Sequence, residues 1–203
     1  MSCSLDEHVI EKVISFHGHS CPGVAIGIRA AELALKKIGH QEDEDLVAVV
    51  ETDMCGVDAI QYLTGCTYGK GNLIHKDYGK MAFSFYDRKT GKGFRALLRP
   101  EIQRHDGDDL GGLMEKVFGG TATEDEKKAY RELRDAMQTQ YMQADFDAMF
   151  KITDVTLPAP RPAAILKSLS CEACEEMTME SRTRRFGGKT LCIPCFEKVE
   201  QKI

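Results

Sequence analysis

The spacing of apolar positions changes several times along the 203-residue chain, and each change predicts an element. Leu5, Val9, Ile10, Val13 and Ile14 recur with a helical period, and Ser4 with Glu7 reads as a capping box at the start of that first helix. A second helix is predicted over 22–38, with Pro22 in its first turn and Gly39 just past its end. LVAVVET (46–52) is a run of branched apolar residues, as a buried strand requires, and GVDAIQYLTG (56–65) reads as a short helix closed by Gly65. KMAFSFYD and GFRALLR flank RKTGK, which predicts a β-hairpin over 80–99. Thr123 and Glu126 form a second capping box, opening a helix over much of 124–149, and KITDVTL (151–157) reads as the last strand.

PAPRP (158–162) continues neither kind of element. The expected organisation is an α+β core over 1–157, a linker over 158–167 and a small C-terminal domain over 168–203. Hydrophobic residues make up 42% of the chain and charged residues 29%, ordinary values for a globular protein. Twenty-seven Lys and Arg stand against 32 Asp and Glu, so no global charge draws the chain to nucleic acid or anionic lipid. No apolar run reaches membrane-spanning length and no secretory leader is legible, so a cytoplasmic location is expected.

Eight cysteines in such a setting point to metal or redox chemistry rather than to disulfides. Cys171, Cys174, Cys192 and Cys195 form two CxxC pairs 17 residues apart, the spacing of a four-thiolate zinc site. The short C-terminal domain has few large apolar side chains, so a metal would supply much of its folding energy. RTRRFGGKT reads as a hairpin turning at Gly187–Gly188, and FEKVEQKI has helical character. Knuckle, hairpin, second knuckle and helix together predict a treble-clef or zinc-ribbon finger. Arg182, Arg184, Arg185 and Lys189 are diluted by Glu172, Glu175, Glu176 and Glu180, and Phe186 alone makes no stacking platform. Nucleic acid is therefore not the expected partner.

FHGHSCPG (16–23) crowds His17, His19 and Cys21 against a helix start, where backbone N–H groups stabilise a thiolate. Cys55 follows the predicted strand and Cys66 ends the short helix; either could complete a mixed His/Cys site with that turn, or both could be small buried side chains. GCTYGKG is not a phosphate loop, because its first gap is three residues and Gly71 stands where a hydroxyl is needed. His75 and Asp77 read as loop residues, and His8, His40 and His105 as surface residues.

FHGHSCPG, GIRAAELAL, TDMCGVDAIQYLTGCTYGKGNLIHKDYGKMAFSFYD and TGKGFR together resemble the formylmethanofuran dehydrogenase E-subunit family, closely over about 5–100. The resemblance implies a mixed β-sheet flanked by helices, somewhat thioredoxin-like, and a homodimer. It implies association with the molybdenum or tungsten enzyme of one-carbon metabolism as an accessory subunit, or descent as a stand-alone relative. Carried over by motif, it marks His17, His19, Cys21, Cys55 and Cys66 as candidate ligands of a second transition metal, zinc first, with Asp58 and Lys70 beside them. Two rivals remain at this stage: a thiol–disulfide redox protein using Cys21, and a zinc-finger regulator or assembly factor.

Overall fold

The computed structural model describes residues 2–39, 45–103, 110–155 and 158–199. His40, His105 and the last two residues of the predicted final strand lie outside them. Helices α1 (Glu7–His17) and α2 (Pro22–Ile38) are followed by strand β1 (Leu46–Val50) and helix α3 (Gly56–Thr64). Strands β2 (Leu73–His75), β3 (Ala82–Asp87) and β4 (Gly93–Leu98) come next, then helices α4 (Leu110–Phe118), α5 (Glu124–Gln143) and α6 (Phe146–Met149), and strand β5 (Phe150–Asp154). The sheet has the order β2-β1-β3-β4-β5. Its β1–β2 pair is parallel and its other three pairs are antiparallel. This is the expected α+β core with a mixed sheet.

The two sheet faces are covered differently. Leu46, Ala48, Val50, Phe83, Phe85, Phe94, Ala96 and Leu98 pack with residues of α1, α2, α3 and α5 in the main core. Val47, Val49 and Tyr86 lie on the other side, where Val155 and Ala159 of the chain beyond β5 cover them. Arg88 Nε donates to Pro160 O at 3.0 Å, tying the proline-rich segment to this unit. By contact density the chain divides into Met1–Pro162 and Ala163–Ile203.

Three local expectations are corrected. Helix α1 is capped not by Ser4 but by Asp6, whose side chain accepts from His8 N–H. Ser4, itself exposed, instead donates from both its N–H and its hydroxyl to the buried Glu32. The helix predicted over much of 124–149 is interrupted at Ala144, whose backbone is extended and whose carbonyl accepts from the buried Arg29 guanidinium at 2.7 Å. His75 ends a short edge strand rather than lying in a loop, since Leu73–His75 pair in register with Ala48–Val50. The Thr123–Glu126 capping box forms reciprocally, as predicted.

The C-terminal unit contains hairpin β6 (Ser168–Ser170) and β7 (Met177–Met179), hairpin β8 (Thr183–Phe186) and β9 (Lys189–Cys192), and helix α7 (Ile193–Phe196). The second hairpin turns at Gly187 and Gly188, both with positive φ, which two glycines adopt without strain. Among the described residues no helix is long and apolar enough to cross a membrane.

Candidate metal centres

The HGHSC turn is held open between two helices by their caps. Gly18 closes α1 in the left-handed conformation, with its N–H on Ile14 O. Cys21 is the N-cap of α2: its backbone is extended and its Sγ accepts from Val24 N–H at 3.4 Å. Pro22 occupies the first turn, where a missing N–H costs nothing. Four residues, Gly18 to Cys21, thus bridge the two helices, which is why His17, His19 and Cys21 crowd together.

Cys55 is brought to them by a close helix crossing. A Cβ added at Gly27 of α2 would lie 2.1 Å from Gly56 O, and one added at Gly56 would lie 2.9 Å from Gly23 O. Only glycines allow backbones that near. The contact sets the first turn of α3 against the first turns of α2, so Cys55 arrives beside Cys21. Ligand atoms of His17, His19, Cys21 and Cys55 all lie within 4.8 Å of one another.

Asp58, one turn into α3, orients the cluster. His17 Nδ1–H donates to Asp58 Oδ2 at 2.7 Å, which leaves the lone pair on Nε2. That atom is buried and, among the described residues, without a hydrogen-bond partner. An imidazole held by a carboxylate on one nitrogen, with the other buried and unpartnered in a residue beside two cysteines, is the arrangement of a metal-ligating histidine. The His19 ring lies 4.5 Å from that of His17 and is exposed. Burial, with Cys21 beside it, pushes the Cys55 thiol above its ordinary value; a bound cation reverses both effects.

Cys66 does not join the cluster. Cys55 and Cys66 flank the two ends of α3, whose nine residues at ~1.5 Å per residue hold them more than 10 Å apart. The Cys66 side chain is fully buried at the edge of the sheet and donates to Leu46 O at 3.3 Å. Burial raises its thiol, so it behaves as a small core residue. Lys70 lies at the same far end, its Nζ near Gly65, and is not beside the His/Cys cluster.

In the C-terminal unit Cys171, Cys174, Cys192 and Cys195 bring their sulfurs within 4.8 Å of one another. The Cys171 thiol is drawn down to about 6 by the backbone N–H groups of Cys192, Cys174 and Ala173. Cys195, facing the sulfurs of Cys192 and Cys174, is pushed up to about 12. Four thiols in that space cannot all ionise unless a cation sits among them, so the donor set fits a tetrahedral zinc. One pair lies in the β6–β7 turn and the other spans the end of β9 and α7, as in a treble clef.

An α+β core presenting a His/Cys cluster, followed by a four-cysteine finger, defines the class. Residues 16–151 match the family described as FmdE, molybdenum formylmethanofuran dehydrogenase operon, and the chain belongs to that family. Residues 165–201 match the prokaryotic DksA/TraR C4-type zinc finger. A similar solved structure is a tungsten formylmethanofuran dehydrogenase FmdE-like protein from Syntrophus aciditrophicus, with 28% identity and a TM-score of 0.62 over 97% of this chain and 96% of that one. A curated relative from Archaeoglobus fulgidus, named "Probable S-adenosyl-L-methionine-binding protein", is 32% identical over 188 residues. Those residues are 89% of this chain but only 50% of the relative, so the chain spans about half that protein's length.

Sequence reasoning missed the glycine crossing. Its signal was present, since Gly23 and Gly27 stand four apart in the apolar first turns of α2 and Gly56 follows Cys55 directly.

Proposed function

We propose that this chain is a metal-binding accessory subunit, or a stand-alone relative, of a molybdenum- or tungsten-dependent formylmethanofuran enzyme, acting as a homodimer in the cytoplasm. One observation supports it above the others: ligand atoms of His17, His19, Cys21 and Cys55 lie within 4.8 Å of one another, and among the described residues the buried His17 Nε2 has no hydrogen-bond partner. Two imidazoles and two thiolates suit zinc, and iron or copper(I) tolerate the same donors. The metal, when bound, supplies Lewis acidity or a structural tie. Cys21 Sγ accepts from Val24 N–H at the start of α2, and Asp58 keeps the His17 proton on Nδ1. His19, the exposed donor, is the ligand whose departure gives an open coordination position.

The test is metal content per full-length chain after anaerobic purification. Two ions are expected, falling to one in C21A/C55A while C66A keeps both. A single ion in the unaltered protein, absent when Cys171 and Cys174 are replaced, would refute the core site. A thiol–disulfide role is the second reading, favoured because both sulfurs approach the same side of Gly23: a Cβ there would be 3.6 Å from Cys55 Sγ and 3.7 Å from Cys21 Sγ. Under that reading a mild two-electron oxidant links Cys21 to Cys55, with loss of two protons, and peptide mapping finds the bond.

A further inference from the structure

An open cavity of about 320 Å³ adjoins the core cluster, with Cys21 and Cys55 in its wall. That volume lies at the lower end of ligand pockets, roughly 300–1,000 Å³. Much of the rest of its lining is apolar: Met54, Leu110, Met114, Phe118 and Met137. Of these, Met54, Met114 and Phe118 are left 53%, 46% and 74% exposed. Apolar surface turned toward open space beside a cluster of metal-ligating side chains is where a ligand gains by displacing water. The unbranched methionines can fit themselves to a flexible chain.

Among the described residues, one charged group lines the cavity and no carboxylate does. Arg134 projects from α5, its guanidinium 5.5 Å above the Tyr130 ring. Tyr130, Arg134 and Met137 follow one another at helical spacing and present one face to the cavity. Arg131 and Asp135 lie instead on a second, polar opening beyond Pro22, which Arg134 also borders. A planar cation fixed on an aromatic face at the edge of an apolar pocket suits bidentate carboxylate recognition.

We propose that this cavity binds a small carboxylic acid with an unbranched apolar chain, its carboxylate on Arg134 and its chain along the methionines. The pocket stands on its own geometry, and only the role of its ligand beside Cys21 and Cys55 rests on the metal-site reading above.

Hexanoate is the probe, titrated into full-length protein carrying ¹³C-methyl methionine. The methyl signals of Met54, Met114 and Met137 are expected to shift and saturate, while Met177 and Met179 of the finger stay still. R134Q should weaken binding at least tenfold, R131Q should not, and hexanol should bind at least tenfold more weakly than hexanoate. Equal binding of hexanol, or unchanged binding in R134Q, overturns the proposal. H17A/H19A separates the two readings, since neither histidine lines the cavity. Hexanoate binding retained in that variant supports the Arg134 site whatever its metal content. Binding lost there but kept in R134Q would place the carboxylate on the metal and overturn the assignment to Arg134.

Discussion

A single hydrogen bond decides which nitrogen of His17 is available. Asp58 takes the Nδ1 proton at 2.7 Å, and its other oxygen is braced by Gln61 Nε2 at 3.4 Å. D58N keeps the side-chain volume but removes the charge that fixes the ring. The expected result is a core metal bound about 10–100-fold more weakly, with the finger metal unaffected, as read by chelator competition. Loss of both metals, or of neither, would show that Asp58 does not act on the core ion. At this scale the sequence was informative about residue types but not about choice. Cys55 and Cys66 have equivalent chemistry, and what separates them is the length of the helix between their positions. That helix was predicted over 56–65, but which of its ends meets the HGHSC turn was not legible in the sequence.

Among the elements, the α2–α3 crossing carries the site. Its closeness comes from Gly23, Gly27 and Gly56 rather than from interlocking side chains. In G27A the new methyl would meet backbone at Gly56, which has no rotamer with which to yield. The helices must part, at a cost of about 1–3 kcal/mol, and Cys55 withdraws from Cys21. A lower thermal midpoint together with loss of the core metal is the expected outcome; an unchanged metal count would show that the crossing does not set the site. Helix starts and stops were legible because caps are local: Pro22, Gly39, Gly65 and the Thr123–Glu126 box act within one turn. The break at Ala144 was not legible, since it depends on Arg29, 115 residues away.

Over the whole molecule, two buried acids tie distant segments together. Glu51 pairs with Arg95 through two bonds of 2.6 and 2.7 Å across the sheet. Glu32 is nearly inaccessible and accepts from Ser4, Arg29 and Lys36. Arg95 holds the Glu51 carboxyl below its ordinary value despite burial. Burial opposes ionisation of Glu32, but Lys36, Ser4 and Arg29 together outweigh it, so its value is lowered as well. Each folded-state value therefore lies below that of the unfolded chain. The stability these groups contribute is full above about pH 4.3, the ordinary glutamate value. It is lost as pH falls through the lower folded values. Urea midpoints measured from pH 6 down to pH 3 should be level at first and then drop, more gently in E51Q. A midpoint rising on acidification would contradict the assignment.

Local signals were enough to determine α1, α2, α3, α5, β1, the β3–β4 and β8–β9 hairpins, β5, the finger's four cysteines and the crowding of His17, His19 and Cys21, because periodicity, caps and CxxC spacing act over a few residues. Tertiary structure alone decided that Cys55 joins them and Cys66 does not, that Ser4 serves Glu32 rather than α1, and that Arg134 faces the cavity beside the cluster. Each of those outcomes depends on backbones meeting across tens of residues, and local spacing carries no measure of that distance.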